Sequence, residues 1–245
     1  MLKRLFVVAL ALFTFGCAPM VPGLRTNGAK PAVVAPTASP VKINFPWDDA
    51  DMPKPKPVVK CDPDKAACVV KHKLNAEVGD KSVAAAIDMI DAAEEAGADA
   101  FVLEINTPGG SVPDGFELSK RIEDATIPIT CVVDGDAASM GFYILQSCPE
   151  RLMTKRSTLM AHEPALGGMF RGQPNEWAAI AAMMAAMRDA LAEHCNHRLS
   201  STIGYYHYRT DGGKMWWFNW NDALHWKAVD GVVGSVAEVV KGLGG

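Results

Sequence analysis

Between residues 69 and 133 the chain alternates short apolar runs with stretches whose apolar positions return every three or four residues. Residues 69–78 predict a strand. Residues 82–96 place Val83, Ile87 and Ile90 on one helical face, with Asp80 or Ser82 as cap and Gly97 as stop. Residues 101–105 predict a short buried strand, 107–111 a Gly-rich turn, 114–124 a helix and 127–133 another strand. Strand and helix alternate again beyond that point. Repeated β-α-β units of this kind predict an α/β domain around a largely parallel sheet.

A longer period follows. Residues 176–199 carry Trp177, Ile180, Met184, Met187, Leu191 and Cys195 at spacings of three and four, with Arg188, Asp189, Glu193 and Arg198 off the stripe. Ala179, Ala182, Met183 and Ala186 widen the apolar surface beyond that stripe. The helix can bury one face on its own domain or meet another subunit.

The N-terminal part has a different character. Lys3 and Arg4 precede an apolar run over residues 5–15, which is short for a bilayer span and has the layout of an export signal. The pair Gly16-Cys17 resembles the lipobox of bacterial lipoproteins, although Thr14 and Phe15 depart from its usual aliphatic and small residues. That resemblance implies diacylation of Cys17 and a membrane anchor facing the periplasm or exterior. An ordinary signal cleavage, an uncleaved anchor and a buried first strand are the other readings. Residues 18–60 are rich in Pro, Ala and Val and end in Pro53-Lys54-Pro55-Lys56-Pro57, the composition of an extended spacer. The expected organisation is a signal segment 1–17, a linker 18–60 and a folded domain 61–245.

Composition narrows the function. A chain of 245 residues, 49% hydrophobic and 21% charged, can bury a sizeable core. Its formal charge of −4 and pI near 5.9, with no basic run beyond Lys3-Arg4 and Lys155-Arg156, argue against nucleic acid as partner. With Cys17 lipidated, five cysteines remain and cannot all pair within one chain. Cys61 and Cys68 stand close enough for a local bridge in an oxidising envelope or remain unpaired, while Cys131 and Cys195 look like core fillers. No Cys or His pair has convincing metal-ligand spacing, and neither a metal nor another cofactor is expected.

Chemistry is suggested by 134–141, Asp-Gly-Asp-Ala-Ala-Ser-Met-Gly, where small residues surround Ser139 between a buried strand and the apolar helical start 142–145. Such a turn exposes a serine hydroxyl and sets helix amides beside it, although Ser is also a common helix cap. Two further motifs flank it: Ile105-Asn106-Thr107-Pro108-Gly109-Gly110-Ser111-Val112, and Leu159-Met160-Ala161-His162-Glu163-Pro164.

Together these three motifs resemble ClpP, the proteolytic subunit of the Clp protease, over about 74–232. The resemblance implies a ClpP/crotonase-like fold of stacked β-α-β units with a long handle-type helix. It implies Ser139 as nucleophile, His162 as general base, and the amides of Gly110 and Met140 as oxyanion donors. It further implies a peptide or unfolded protein substrate and a homo-oligomer joined through the 176–199 helix. The third catalytic member is harder to place. Counting forward from His162 by the family's interval reaches Asp211, whereas counting back from Ala223 ends near Met215. Asp211, the only carboxylate between Cys195 and Asp222, is the candidate that orients His162, with a Ser-His dyad as the fallback. Lys227 stands where the family's final turn has Gly.

Alternatives differ in class. A signal-peptide-peptidase-like membrane protease would use a Ser-Lys dyad, but no Lys occurs between Lys155 and Lys214. A crotonase-type enzyme would need acyl-CoA, scarce outside the cytoplasm. A binding or scaffold lipoprotein could keep the fold without activity. Trp216, Trp217, Phe218, Trp220 and Trp226 line a groove, cover a subunit contact or fill the core.

Overall fold

The computed structural model describes residues 56–62, 64–167, 171 and 173–245. All of them lie in the unit Pro53–Gly245. Cys17 and most of the linker fall outside the described residues. Among the described residues no helix is long and apolar enough to cross a membrane.

Four strands form the main parallel sheet: β1 (Val69–Leu74), β2 (Ala100–Thr107), β3 (Ile129–Ala138) and β4 (Glu150–Thr154) stand in that order. Helices α1 (Asp80–Glu95), α2 (Val112–Glu123) and α3 (Met140–Ser147) connect them. This is the α/β architecture that the alternating pattern predicts. In β2 every residue but Asn106 is buried, as a strand covered on both faces requires. On α1 the buried positions Val83, Ala86, Ile90 and Ala93 repeat with the helical period, and Ser82 Oγ accepts the Gly79 N–H at 3.0 Å to close the first turn. α2 starts two residues earlier than expected because Ser111 caps it and Pro113 suits its first turn.

β3 runs five residues past the expected end at 133. Its first half pairs with β4, from Thr130 opposite Glu150 to Val133 opposite Met153. Its second half leaves β4 and pairs with β5 (Thr158–Ala161), Asp136 opposite Thr158 and Ala138 opposite Met160. The change of partner occurs at Gly135, where the β2–β3 register also shifts. There the Gly135 N–H donates to Ser157 Oγ at 3.1 Å and the Asp136 N–H to Asn106 Oδ1 at 3.1 Å. Side chains thus satisfy the amides that the ladder releases.

Beyond β5 come α4 (Pro174–Arg198), α5 (Ile203–Thr210), β6 (Trp216–Phe218), α6 (Trp220–His225), β7 (Gly231–Val233) and α7 (Val236–Gly242). β6 lies antiparallel to β5, and β7 adds parallel to β4. α4 spans 25 residues, yet only Ala192 and Cys195 on it are buried. Its first sixteen residues include no buried position, and Met183 is 49% exposed. The predicted stripe therefore packs on the domain only at its C-terminal end.

Two interactions lock the sheet's far side. Arg151, 2% exposed, donates to both carboxylate oxygens of Asp230 at 3.0 and 2.6 Å and to Gln146 Oε1 at 2.6 Å. Burial lifts the Asp230 carboxyl, but hydrogen bonds from Arg151 outweigh it and leave the group below the ordinary carboxylate range. Cys131 in β3 bonds to Cys148, which ends α3, so the expectation of an unpaired core filler is corrected. The side chain is apolar and fully buried as expected, but the intervening strand, turn and helix, across a sequence separation of 17, fold back and bring a second buried thiol beside it. Cys61 pairs with Cys68, and Cys195 is the free cysteine of the described domain.

The aromatic group divides. Trp216 and Phe218 are core, Phe218 stacking on Phe142 with centroids 5.5 Å apart, whereas Trp217 and Trp220 face solvent. Lys227 adopts φ 56 in the turn before β7, a left-handed conformation that Gly enters without cost.

Candidate active site

Ser139 lies where β3 becomes α3, with φ 54 and ψ −116. Positive φ in a non-Gly residue costs on the order of 1–3 kcal/mol and persists only where the surroundings impose it. Here they do: the Ser139 N–H donates to Met160 O at 2.8 Å, while its carbonyl accepts from Phe142 at 3.0 Å and Tyr143 at 3.2 Å. Its side chain makes no capping bond to α3. The cap that would explain a serine here without chemistry is therefore not made.

The Gly-rich turn after β2 presses on this point. A Cβ on Gly109 would lie 2.6 Å from Ser139 Cβ and 2.9 Å from Met140 N, and one on Gly110 would lie 2.2 Å from Val78 O. Both glycines hold positive φ, 96 and 149. The turn is fixed by two backbone bonds, Val78 N–H to Gly109 O and Ser111 N–H to Val78 O, each 2.8 Å. Neither uses the Gly110 amide, which has no acceptor among the described residues. Met140, as the first residue of α3, likewise has no intrahelical acceptor for its N–H.

Ser139 and His162 line one cavity of about 30 Å³, together with Phe142, Tyr143, Leu191 and Tyr206. A space of that size admits a water molecule or two, so a substrate side chain needs its walls to part. The two catalytic candidates share the cavity but do not hydrogen-bond to each other among the described residues. Such pairs commonly tighten only around a substrate. The nearby Cys195 thiol is pushed up to about 12 by burial, which removes it as a competing nucleophile.

His162 follows β5. Its Nδ1 meets the main-chain carbonyl of Glu163, an acceptor, and this contact favours the tautomer with the proton on Nδ1 and the lone pair on Nε2. Among the described residues Asp211 makes no hydrogen bond or ion pair to His162. One of its oxygens faces His207 Nδ1 at 3.1 Å and the other lies 3.7 Å from Arg188. The structure thus puts Ser139, Met140 and His162 on one cavity, sets Gly109 of the Gly109–Gly110 turn against Ser139 and Met140, and leaves Asp211 at the end of α5. Glu163, whose carbonyl the ring meets, carries no signal in the sequence beyond its place directly after His162.

Comparison with known proteins gives the chain a family. The family model described as NfeD1b, N-terminal domain, matches residues 73–245. ATP-dependent Clp protease proteolytic subunit 1 of Protochlamydia amoebophila (strain UWE25) is 33% identical over 138 residues, 55% of this chain and 66% of the relative. The protein of that name from Chlamydia caviae is 43% identical over 79 residues, 31% of this chain and 41% of the relative. The one from Leifsonia xyli subsp. xyli is 31% identical over 176 residues, 70% of this chain and 86% of the relative. The chain thus spans about two-thirds of the first relative's length and about two-fifths of the second's. With nearly all of the described domain inside the match, the chain belongs to the NfeD1b N-terminal domain family and is related to the ClpP proteolytic subunits.

Proposed function

We propose that the domain is a serine-type endopeptidase working through Ser139 and His162. The observation that carries this reading is the strained Ser139, whose side chain makes no cap bond to α3 and which lines a cavity together with His162. In the reaction, Nε2 of His162 takes the Ser139 proton as Oγ attacks the peptide carbonyl and returns it to the leaving amine as the C–N bond breaks; a water molecule, giving its proton to the same nitrogen, then releases the acyl group and Oγ takes the proton back. The unclaimed amides of Gly110 and Met140 receive the charge on the carbonyl oxygen. The site functions as a dyad with main-chain support for the imidazole, and Asp211 acts on it only from a distance.

Three further parts of the proposal concern setting. Lipidation of Cys17 tethers the domain to the membrane through the Pro-rich linker, in an envelope where the two disulfides persist. No ATP is available there, so short peptides and unfolded segments are the substrates. The unburied half of α4 supports a homo-oligomer in which a second copy covers it.

Labelling by a fluorophosphonate probe tests the chemistry, because it requires nucleophile, base and oxyanion donors together. Labelling of the wild-type chain and none of Ser139→Ala is the expected result. A wild-type chain that neither labels nor cleaves unfolded casein would leave the domain a binding scaffold.

A further inference from the structure

We propose that Glu163 is the positioning residue of this site, its main-chain carbonyl orienting His162 and its carboxylate holding that carbonyl in place; this rests on the peptidase reading above. The imidazole needs a fixed partner at Nδ1 so that Nε2 points to Ser139 with its lone pair free. A peptide carbonyl meets that need only if the loop bearing it is held. From His162 to 167 the chain has no helix or strand of its own, so local structure does not hold it.

The Glu163 side chain supplies the missing restraint. Its Oε1 accepts the Gly213 N–H at 2.9 Å, across 50 residues of sequence. Gly212 and Gly213 both have positive φ, 72 and 77, in the turn after α5. That turn is anchored in its own right: Asp211 bonds His207 at 3.1 Å and faces Arg188 of α4 at 3.7 Å, and Lys214 Nζ donates to Tyr208 O at 2.8 Å. One residue thus links the imidazole, through its backbone, to a braced turn, through its side chain. Asp211 acts one step further out, on the turn and not on the ring.

Hydrogen-bond acceptance, not charge, is what the arrangement asks of the Glu163 side chain. Glu163→Gln keeps an oxygen for the Gly213 N–H and Glu163→Ala does not. In the full-length chain, Glu163→Ala should lower kcat by up to about 100-fold, as small misplacements of a catalytic group do, with KM little changed. Glu163→Gln should recover most of that rate. Nitrogen-15 imidazole spectra give a readout that does not depend on turnover. At a pH where His162 is neutral, the wild type and Glu163→Gln should show the Nδ1–H form alone, and Glu163→Ala a mixture of both tautomers. A single Nδ1–H tautomer in Glu163→Ala, or a Gln variant as impaired as the Ala variant in both readouts, would overturn the proposal. Absence of fluorophosphonate labelling in the wild type would instead sink the peptidase reading, while the spectra still decide the role of Glu163.

Discussion

Reducing the Cys131–Cys148 bridge is expected to cost the domain about 3 kcal/mol, the loop-closure value for the 17-residue separation it spans. Against a total of about 5–15 kcal/mol for a typical domain, that is a large share. The bridge closes the segment of β3, Ser139 and α3, so its loss loosens the strand that delivers the nucleophile and the helix that leaves from it. The Cys61–Cys68 bridge spans 7 residues and also responds to reductant, so the clean background is the Cys61→Ala/Cys68→Ala chain. Urea unfolding of that variant, with and without dithiothreitol, should separate the two midpoints by about 3 kcal/mol divided by the common slope. Introducing Cys131→Ala and Cys148→Ala as well should abolish the response to dithiothreitol. Thiol titration of the unreduced background in denaturant should find neither Cys131 nor Cys148. Coincident midpoints, or both thiols free before reduction, would refute the bridge and with it the inference of an oxidising compartment.

Replacing Met183 and Ala186 on the unburied half of α4 by Glu should yield a smaller species in analytical ultracentrifugation with an unchanged unfolding midpoint; full-sized particles would remove that face as the contact. Asp230→Asn should destabilise by about 2 kcal/mol near neutral pH, because the buried Arg151 guanidinium loses its ionic acceptor. The Asp230 carboxyl is depressed in the folded state, so its stabilisation is present above the ordinary Asp range and lost as pH falls through the folded-state value. The difference between wild type and variant in urea unfolding should accordingly vanish in acid, and a gap that persists there would contradict the assigned cause.

Legibility in the sequence followed the size of the physical signal. α1 is readable because burial on one face imposes a period and β2 because burial on both faces leaves a continuous apolar run, and the actual bounds differ by a few residues at most. The second half of β3 was not, because Asp134, Gly135 and Asp136 interrupt the apolar run just where the strand changes partner. α5 gave no recognisable stripe: its buried residues are Tyr206 and Thr210 alone. Ser139, His162, Gly110 and Met140 are legible as candidates through three short motifs read together, although distant partners, not the segments themselves, hold Ser139 and the loop after His162. Asp211 was placed by counting along the chain, which carries no information about which imidazole a carboxylate will meet; His207, four residues earlier on the same helix, was nearer. Cys131 reads as a core residue because it is one, and its bond depends on a chain reversal that no local pattern records.

The partner change of β3 at Gly135 also bears on what sequence change this domain tolerates. Side chains point to alternate faces of a strand, so one inserted residue turns every later position over. Between 129 and 134 such a slip falls in the part paired with β4, and the irregular stretch held by Asn106 and Ser157 can absorb it before Asp136. Between 136 and 138 no such slack remains, and the same insertion would rotate Ser139 away from Met160 and the Gly109–Gly110 turn. Drift in length should therefore collect on the upstream side of Gly135 among related chains, leaving the few residues downstream of it fixed in number.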